Sequence, residues 1–294
     1  MKMRSWLFAP GDSEKKLGKV ASCGADVVII DLEDAVAEYA KAEARRLTTK
    51  WLQANRTQVL AGGGFQRWVR INPLDSHHWR EDLAAVMPCQ PHGIMVPKAA
   101  GPEQIRMLAA ELYEHEQRNG KEPNSTRVLP LVSETAKAAM SIGQYAEDTL
   151  PRLLGLTWGA EDLSAAIGAT RKRDENGEWT DLFRMVRAQI LLTAHARQVL
   201  PIDTLYSDFR DLEGLKKAAE ASHADGFAGM LAIHPDQVQV INAAFSPSEK
   251  ALARARAIVD AFSANPGKGA LSLDGEMIDQ PHLEQARKLL ERAP

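Results

Sequence analysis

The feature of this sequence that most limits its fold is a series of short apolar runs separated by longer amphipathic stretches. Most of the runs are continuous rather than alternating, which is typical of strands buried on both faces of a parallel sheet. The stretches between them have the periodicity of helices, so strand and helix alternate along the chain. The predicted strands are residues 4–8, 26–32, 67–71, 93–97, 128–132, 153–158, 202–205 and 229–233.

Eight predicted strands, each followed by a helix, are the number found in a closed (β/α)8 barrel. A doubly wound open sheet is the alternative, but no glycine-rich dinucleotide fingerprint follows any predicted strand, and the glycine run at 62–64 precedes one instead. The sequence therefore predicts an α/β protein built on a (β/α)8 TIM barrel. Helices are predicted at residues 41–54, 103–117, 182–199 and 212–221, with helix starts at Ser13, Pro102, Thr135 and Pro235.

Charge and composition exclude several classes of protein. A net charge of −3 over 294 residues does not provide the basic face of a nucleic-acid-binding protein. No apolar run approaches the roughly 18 residues of a membrane span, and the apolar stretch that ends at Pro10 is too short for a secretory signal. The two cysteines, Cys23 and Cys89, lack metal-binding or redox spacing. We therefore expect a cytoplasmic protein without nucleic-acid or membrane partners.

Two stretches fall outside the strand–helix repeat. Residues 172–180 are polar, which indicates a mobile insertion in a loop between a strand and the next helix. Residues 265–269 form a flexible break, and the piece after it contains one short predicted helix at 282–291. A piece of this size buries too little core to be stable alone, so it packs on the barrel, on a neighbouring subunit, or not at all. The predicted division is a catalytic barrel at 1–245 and a C-terminal extension at 246–294.

Charged residues of both signs follow most of the predicted strands. The active site of a barrel enzyme lies at the carboxyl ends of its strands. One charged residue after a strand is usually part of a solvated turn, but this accumulation predicts a site that binds a metal ion and an anion. The residues concerned are Asp31, Glu33, Asp34, Arg70, Lys98, Glu134, Glu161, Asp162 and His234.

Glu134 and Asp162 follow neighbouring predicted strands and are candidate ligands of one hard cation. Mg²⁺ prefers oxygen ligands and takes one or two protein carboxylates, keeping positions for water and substrate. Such a metal can chelate an α-keto or α-hydroxy carboxylate and polarise its carbonyl. The alternative is that Glu134 and Glu161 only cap the helices that follow, where acidic side chains suit the helix dipole.

Arg70 offers a bidentate donor for a carboxylate or for negative charge that develops on a thioester oxygen. Side chains alternate along a strand, so Asp31 and Glu33 should point the same way. They are predicted partners of the arginine or of metal-bound water. A barrel-mouth salt bridge from Arg70 to Asp31 or Glu33 is the alternative to a substrate role, and the two roles are compatible.

Lys15 and Lys19 lie on the first predicted helix, together with Lys16. A solvated helical face is the default interpretation of such a cluster. The functional interpretation is a basic patch beside the barrel mouth that attracts the phosphates of a nucleotide-bearing substrate. His234 precedes a proline, where a histidine usually makes a helix-start hydrogen bond, and a contact with a cofactor is the functional alternative.

Taken in order, these motifs resemble those of the HpcH/HpaI aldolase and citrate lyase β-subunit superfamily, and in particular its stand-alone citrate-lyase-β-like CoA-ester lyases. The resemblance extends from Arg4 to about Arg287. Each motif is weak alone, but the ordered set is specific. The motifs are FAPGD (8–12), DLEDAV (31–36), RINP (70–73), VPK (96–98), ETA (134–136), GAEDL (159–163) and AIHP (232–235).

The resemblance implies a homotrimer or homohexamer of barrels with one Mg²⁺ per site, or Mn²⁺ in its place. Glu134 and Asp162 match the family's metal ligands, and Arg70 matches its substrate-anchoring arginine. The tail motif MIDQP (277–281) resembles that of malyl-CoA and citramalyl-CoA lyases, in which the tail closes over a neighbouring subunit and Asp279 matches the catalytic aspartate. The residues that match contacts to the CoA ester are Phe8, Lys15, Lys19, Ile233 and His234.

The activity that this resemblance implies is Mg²⁺-dependent carbon–carbon cleavage. The substrate would be a 3-hydroxy-dicarboxylic acyl-CoA of malyl-CoA or citramalyl-CoA type, cleaved by a retro-Claisen reaction to a keto acid and acetyl- or propionyl-CoA. One alternative is a malyl-CoA-type thioesterase or malate-synthase-like enzyme. Another is a citrate-lyase-β-like subunit that needs acyl-carrier partners, although the tail favours a free CoA thioester.

Overall fold

The structure, a computed structural model, describes residues 2–56, 64–147 and 149–291. The glycines at 62 and 63, whose place before a predicted strand argues against a dinucleotide-binding sheet, lie outside these residues. The barrel strands are β1 (Ser5–Pro10), β2 (Val27–Asp31), β3 (Gln66–Arg70), β4 (Gly93–Val96), β5 (Arg127–Pro130), β6 (Gly155–Leu156), β7 (Leu200–Asp203) and β8 (Gly229–Ala232). Within the described chain these eight strands form one parallel sheet in the order β5-β4-β3-β2-β1-β8-β7-β6.

The two ends of this strand order meet. The Val128 N–H donates to the Arg152 carbonyl at 2.9 Å, and the Leu154 N–H donates to the Val128 carbonyl at 2.9 Å. Further along, the Val132 N–H donates to the Thr157 carbonyl at 3.0 Å. These bonds join the β5 and β6 segments and make the sheet a nearly closed barrel. The predicted (β/α)8 barrel is confirmed, and the open-sheet alternative is wrong.

Large apolar side chains from most of the strands fill the inside of the barrel. The fully buried rings of Trp6 and Trp68 meet edge to face with centroids 5.1 Å apart. A Cβ atom on Gly93 would lie 2.4 Å from the Trp68 ring, so β4 needs glycine at this point. The Trp6 indole N–H donates to the Met3 carbonyl at 2.9 Å, toward the amino-terminal end of the strands.

Helices connect the strands and surround the barrel. None of the helices in the described ranges is long and apolar enough to cross a membrane. The helices are α1 (Glu14–Val20), α2 (Lys41–Ala54), α3 (Trp79–Val86), α4 (Pro102–Arg118), α5 (Ala136–Met140), α6 (Gln144–Glu147), α7 (Ala160–Ile167), α8 (Asp181–Arg197), α9 (Leu212–Asp225), α10 (Pro235–Ala244), α11 (Glu249–Ser263) and α12 (Gln280–Glu291), with short 3-10 turns at Glu38–Ala40 and Met87–Cys89.

The helix starts predicted from the sequence are confirmed. The Ser13 hydroxyl accepts the Lys16 N–H, and the Thr135 hydroxyl accepts the Ala138 N–H at 3.1 Å. Pro102 and Pro235 are the first residues of α4 and α10. Serine and threonine satisfy one of the backbone N–H groups that a helix leaves unpaired at its start, and proline has no N–H to leave unpaired.

The polar insertion at 172–180 is a hydrogen-bonded turn that joins two helices, α7 and α8, rather than the strand and helix that the sequence predicts. The Asp174 N–H donates to the Glu178 carbonyl at 2.8 Å, and the Thr180 N–H donates to the Lys172 carbonyl at 3.0 Å. The Trp179 ring packs 5.1 Å from the ring of Trp158. A single aromatic residue therefore anchors an otherwise polar segment.

The chain divides into two compact units, Met1–Asn242 and Ala243–Pro294. The second unit contains α11, α12 and an antiparallel hairpin of β9 (Ala270–Leu273) and β10 (Glu276–Asp279). The sequence pattern does not predict this hairpin. Its turn residues, Asp274 and Gly275, both have positive φ, of 54° and 84°, which is typical of a tight hairpin turn. Phe262, Ile278 and Leu283 form the buried cluster of this unit.

Candidate active site

The charged side chains predicted at the strand ends meet at the carboxyl end of the barrel interior. Ile29 of β2 and Trp68 of β3 belong to the interior cluster, and side chains two residues further along a strand face the same side. Asp31 and Arg70 therefore lie above this apolar core, and the register of β2 and β3 pairs them directly. The alternation of side chains places a charged site on top of the core.

Arg70 and Asp31 form a buried bidentate ion pair. The Nε and Nη2 atoms of Arg70 each lie 2.7 Å from one oxygen of Asp31. The two side chains are 13% and 2% exposed. Asp31 also accepts the backbone N–H groups of Glu33 at 2.9 Å and Ala35 at 3.1 Å. The carboxylate that orients the guanidinium is thus itself held by the backbone.

Both members of this pair keep their charge over a wide pH range. Burial acts to raise the pKa of Asp31, but the Arg70 charge and the hydrogen bonds that Asp31 accepts outweigh it and hold the pKa below its usual value. Burial acts to lower the pKa of Arg70, but Asp31 and Glu33 raise it above its usual value. The site therefore contains a fixed cation.

Glu33 contacts the same guanidinium, as the alternation along the chain predicts. Its Oε2 atom lies 3.0 Å from Nη1 of Arg70, and its Oε1 atom forms an ion pair with Lys98. Burial raises the pKa of Glu33, and this effect exceeds the opposite effects of Arg70 and Lys98. Arg70 therefore makes the predicted salt bridges to both Asp31 and Glu33.

Glu134 follows β5 and is 2% exposed. Its Oε2 atom accepts the backbone N–H of Lys98. A Cβ atom on Gly159 would lie 2.8 Å from Oε1 of Glu134, so a glycine at 159 makes room for this carboxylate. The side-chain cap of α5 is the Thr135 hydroxyl, which accepts the Ala138 N–H, and not the carboxylate of Glu134.

The charges of Glu134 and Asp162 interact. Burial raises the pKa of Glu134 to about 8, the charge of Asp162 adds to this rise, and the Lys98 N–H opposes it. Asp162 lies in the first turn of α7 with its side chain 31% exposed and Oδ1 3.6 Å from Nζ of Lys98. Glu161 instead pairs with Lys172. Two neighbouring carboxylates, one of them buried, form a donor set suited to a hard divalent cation.

Three of the residues predicted to contact a CoA ester lie on β1 and α1, and they differ in exposure. Phe8 is partly buried, and its ring centroid lies 4.8 Å from the guanidinium carbon of Arg70. Lys15 and Lys19 are exposed and one helical turn apart on α1. Neither lysine forms an ion pair within the described chain. Their charges therefore remain available to an anion.

Ile233 and His234 lie at the end of β8, and their backbone N–H groups both donate to Oε1 of Gln237, at 2.8 and 3.2 Å. The side chain of His234 is 39% exposed and stacks on Phe209 with centroids 5.0 Å apart. Its Nδ1 atom accepts the Asp236 N–H at 3.3 Å. The histidine makes the helix-start hydrogen bond and also presents an exposed aromatic face.

Asp279 is the last residue of β10 and belongs to the C-terminal unit, whereas the other predicted site residues belong to the barrel unit. Its Oδ1 atom lies 2.5 Å from Nδ1 of His282. This hydrogen bond lowers the pKa of Asp279. The side chains of His282 and Asp279 are 46% and 36% exposed.

A family model described as HpcH/HpaI aldolase/citrate lyase matches residues 4–235. This range includes the barrel strands and the charged residues at their ends. The chain belongs to the HpcH/HpaI aldolase/citrate lyase family. The resemblance predicted from the sequence motifs is therefore confirmed.

Relatives of this family member match almost its full length. The mitochondrial citramalyl-CoA lyase of Mus musculus is 33% identical over 98% of this chain and 85% of its own. The (3S)-malyl-CoA thioesterase of Cereibacter sphaeroides strain KD131 is 32% identical over 99% of this chain and 94% of its own. The crystal structure of protein CitE from Mycobacterium tuberculosis, in complex with magnesium, acetoacetate and coenzyme A, is 33% identical with a TM-score of 0.78, over 99% of this chain and 98% of that chain.

Lys98 follows the end of a predicted strand, and its position in the sequence indicates no specific role. Its ammonium contacts Glu33, Asp34 and Asp162, and its backbone N–H contacts Glu134. The sequence signal was a lysine directly after Val96-Pro97 at the end of a buried strand. Spacing alone does not show which of several acidic residues from other strands such a lysine meets.

A second group of potential metal ligands, Glu38, His77 and His78, lies in the loops that follow β2 and β3. Nδ1 of His78 lies 2.9 Å from Nη2 of Arg45, and its Nε2 lies 2.7 Å from Oε1 of Glu38. Arginine only donates, so Nδ1 accepts and Nε2 of the neutral ring carries the proton. Because that proton donates to Glu38, the His78 ring has no free nitrogen to bind a metal.

Proposed function

We propose that this chain is a Mg²⁺-dependent carbon–carbon lyase that acts on the CoA thioester of a 3-hydroxy-dicarboxylic acid. The proposed substrate is of malyl-CoA or citramalyl-CoA type, and the products are a keto acid and acetyl- or propionyl-CoA. The observation that carries the proposal is the placement of the buried carboxylate of Glu134, with Asp162, in the same charged network as the guanidinium of Arg70. The name of the citramalyl-CoA lyase relative supports the same reaction class.

The residues present fit a divalent cation. Glu134 and Asp162 offer oxygen donors only, as Mg²⁺ prefers, and Mn²⁺ is the alternative with similar ligands. Burial and the nearby charge of Asp162 raise the pKa of Glu134 to about 8, so this carboxyl group is largely protonated at neutral pH when no metal is bound. A bound divalent cation would supply a counter-charge and release the proton. Magnesium in the CitE complex supports this choice.

The residues of this chain divide the chemistry between them. Glu134 and Asp162 would hold the Mg²⁺, which would supply Lewis-acid polarisation of the substrate oxygens. The substrate hydroxyl gives its proton to Asp279 or to a water that Asp279 orients. When the carbon–carbon bond breaks, its electron pair passes to the thioester as an enolate. Arg70 stabilises this charge through N–H groups that Asp31 and Glu33 leave free, since a guanidinium has five donors.

Protonation of the enolate carbon is the last step of the reaction and gives acetyl- or propionyl-CoA. We assign this proton transfer, directly or through a water, to Asp279. Its pKa, lowered by His282, keeps Asp279 ionised at neutral pH, so it acts by orienting a water or by returning a proton taken earlier in the cycle. We further propose a homotrimer or homohexamer in which the Asp279 of each chain serves the barrel of a neighbouring subunit.

Recognition of the CoA portion is assigned to the surface around β1, α1 and β8. Lys15 and Lys19 have charges that no described carboxylate neutralises, and such charges attract the phosphates of a nucleotide. Ile233 and the stacked ring of His234 offer an exposed apolar surface. Phe8 lies against Arg70, with its ring centroid 4.8 Å from the guanidinium carbon.

A thioesterase is the second candidate function, because a relative of similar identity is named (3S)-malyl-CoA thioesterase. In that reaction water attacks the thioester, and the same carboxylates and arginine would serve. A malate-synthase-like condensation belongs to the same alternative. A subunit that depends on an acyl-carrier partner is the remaining alternative, and it predicts no turnover with a CoA ester alone.

The deciding experiment is a turnover assay of the purified protein with malyl-CoA and with citramalyl-CoA, each with Mg²⁺ and with a chelator. We expect a keto acid and an acyl-CoA to form only when the metal is present. Free thiol without keto acid would instead establish a hydrolase. No reaction with either ester would refute the lyase assignment for these substrates and favour a partner-dependent subunit.

A further inference from the structure

The backbone of Lys98 has an unusual conformation beside the proposed metal ligands. Its φ is 50°, in the left-handed region that residues with side chains rarely adopt. Two backbone hydrogen bonds fix this turn: the Lys98 N–H donates to Oε2 of Glu134, and the Ala99 N–H donates to the Leu131 carbonyl at 3.2 Å. Strain of this kind persists where the surrounding structure determines it, and it occurs often at functional sites.

The ammonium group of Lys98 lies among three carboxylates. It forms an ion pair with Oε1 of Glu33, both oxygens of Asp34 are 3.4 Å from Nζ, and Oδ1 of Asp162 is 3.6 Å from it. Lys98 thus contacts both proposed metal ligands, Glu134 through its backbone and Asp162 through its side chain. A second nearby cation, Arg70, is bound to Asp31 and Glu33.

The ammonium of Lys98 lies close to Asp162 and therefore repels a Mg²⁺ ion that binds the same carboxylate. The repulsion between unit charges a few ångströms apart is substantial when the groups are partly removed from water. The Lys98 side chain is 33% exposed, so its screening by solvent is incomplete. In the metal-free protein the positive charge of Lys98 balances these carboxylates, and the same charge therefore opposes the binding of Mg²⁺.

We propose that Lys98 is the internal counter-ion of this site: its ammonium stabilises the metal-free cluster of carboxylates and thereby lowers the affinity of the site for Mg²⁺. This inference rests on the proposed function for the identity of the metal and its ligands. A purely structural role of Lys98 predicts the opposite result. If the lysine only held the ligands in place, its loss would weaken Mg²⁺ binding.

The test is isothermal titration calorimetry of Mg²⁺ into the metal-free wild-type protein, Lys98→Met and Lys98→Arg. Methionine keeps the unbranched chain but removes the charge, and we expect the Kd for Mg²⁺ to fall about fivefold to tenfold. Lys98→Arg keeps the charge and should bind within about twofold of wild type. Thermal unfolding should show a lower Tm for Lys98→Met without Mg²⁺, and a smaller difference from wild type when Mg²⁺ is saturating.

Removal of Lys98 leaves the buried carboxylate of Glu33 with one ion-pair partner fewer, which can impair folding. The same comparison is therefore made on the Glu33→Gln background, in which this buried charge is absent. The double variant Glu33→Gln/Lys98→Met should bind Mg²⁺ more tightly than Glu33→Gln alone.

The outcomes separate this inference from the proposed function. Equal or weaker Mg²⁺ binding in both Lys98→Met comparisons, with normal binding by wild type, would overturn the counter-ion role and leave the proposed function intact. A wild-type protein that binds no Mg²⁺ would refute the proposed function and this inference with it.

Discussion

The ion pair of Arg70 with Asp31 and the pair of Asp279 with His282 both join a carboxylate to a nitrogen base, but they are held in different ways. The first is buried, bidentate and formed across neighbouring strands, 39 residues apart in sequence. The second is half-exposed and formed between residues three apart. The strand register determines the first pair, whereas a local turn at a helix start determines the second.

The difference in burial between the two pairs determines which chemical role suits each of them. A buried pair keeps its geometry and its charge and therefore suits the stabilisation of a developing anion. An exposed carboxylate on a short hairpin can exchange protons with water, which suits a group that handles a proton. The barrel mouth and the C-terminal unit thus offer complementary chemistry.

The largest expected effect comes from replacing the fixed cation of the buried pair. Arg70→Lys keeps the charge but loses the bidentate geometry and the additional N–H donors. We expect kcat for cleavage of the CoA ester to fall about 10³-fold, measured by steady-state formation of the keto acid. Full activity in this variant would show that the positive charge alone suffices and that the bidentate geometry of the buried pair is not needed for turnover.

Asp279→Ala tests the exposed pair. The variant should lose about 10²-fold in kcat because proton transfer loses its positioned carboxylate. Mg²⁺ affinity, measured by calorimetry, and thermal unfolding should both match wild type, since Asp279 lies in the C-terminal unit and outside the buried network. Unchanged turnover would refute the assignment of Asp279 to the active site.

Asp31→Asn tests the contribution of the buried pair to stability. Loss of one charge leaves Arg70 incompletely paired, and we expect the free energy of unfolding in urea to fall by about 3 kcal/mol at neutral pH. The matched control is Asp274→Asn in the exposed Arg254–Asp274 pair of the C-terminal unit, which should change it by less than about 1 kcal/mol. Because the folded pKa of Asp31 is lowered, its stabilising effect is present above the ordinary aspartate pKa and lost as the pH falls through the folded value.

The pH dependence of Mg²⁺ binding tests the pKa of Glu134. In the metal-free protein this pKa is raised to about 8, so below that pH Glu134 must release a proton to bind the metal. The apparent affinity should rise about tenfold per pH unit below pH 8 and level off above it. Without metal, stability should fall as the pH rises from the ordinary glutamate pKa toward 8, since the ionised form is disfavoured in the folded state. Calorimetry in two buffers of different ionisation enthalpy measures how many protons are released when Mg²⁺ binds. The variant Glu134→Ala should not bind Mg²⁺ at all.

The smallest effect is expected for His282→Gln. The pKa of Asp279 should rise toward its usual value, because the hydrogen bond with His282 is the main reason that this pKa is lowered. Asp279 remains ionised at neutral pH, so kcat there should change by no more than about twofold. The acid limb of the pH–rate profile should move to higher pH, and an unmoved limb would show that this pair has no part in turnover.

Much of the barrel was predictable because its signals are local. Continuous apolar runs indicate buried parallel strands, and the hydroxyls of Ser13 and Thr135 mark helix starts wherever the chain later packs. The hairpin of β9 and β10 was missed because its strands are short and largely exposed. The only local signal was the Asp274-Gly275 turn. The insertion at 172–180 was judged by its polarity, and its anchor, Trp179 against Trp158, is a contact between distant residues.

The sequence by itself determined the strand count, the helix starts and the presence of acidic and basic residues at the strand ends, because each depends on residues within one or two turns of the chain. Only the tertiary structure decided which of these charges meet. The barrel register set Arg70 against Asp31 and Glu33, and a left-handed turn brought Lys98 to Glu33, Asp34 and Asp162. Burial in that arrangement then set the pKa values, since the cost of removing a charge from water depends on what packs around it.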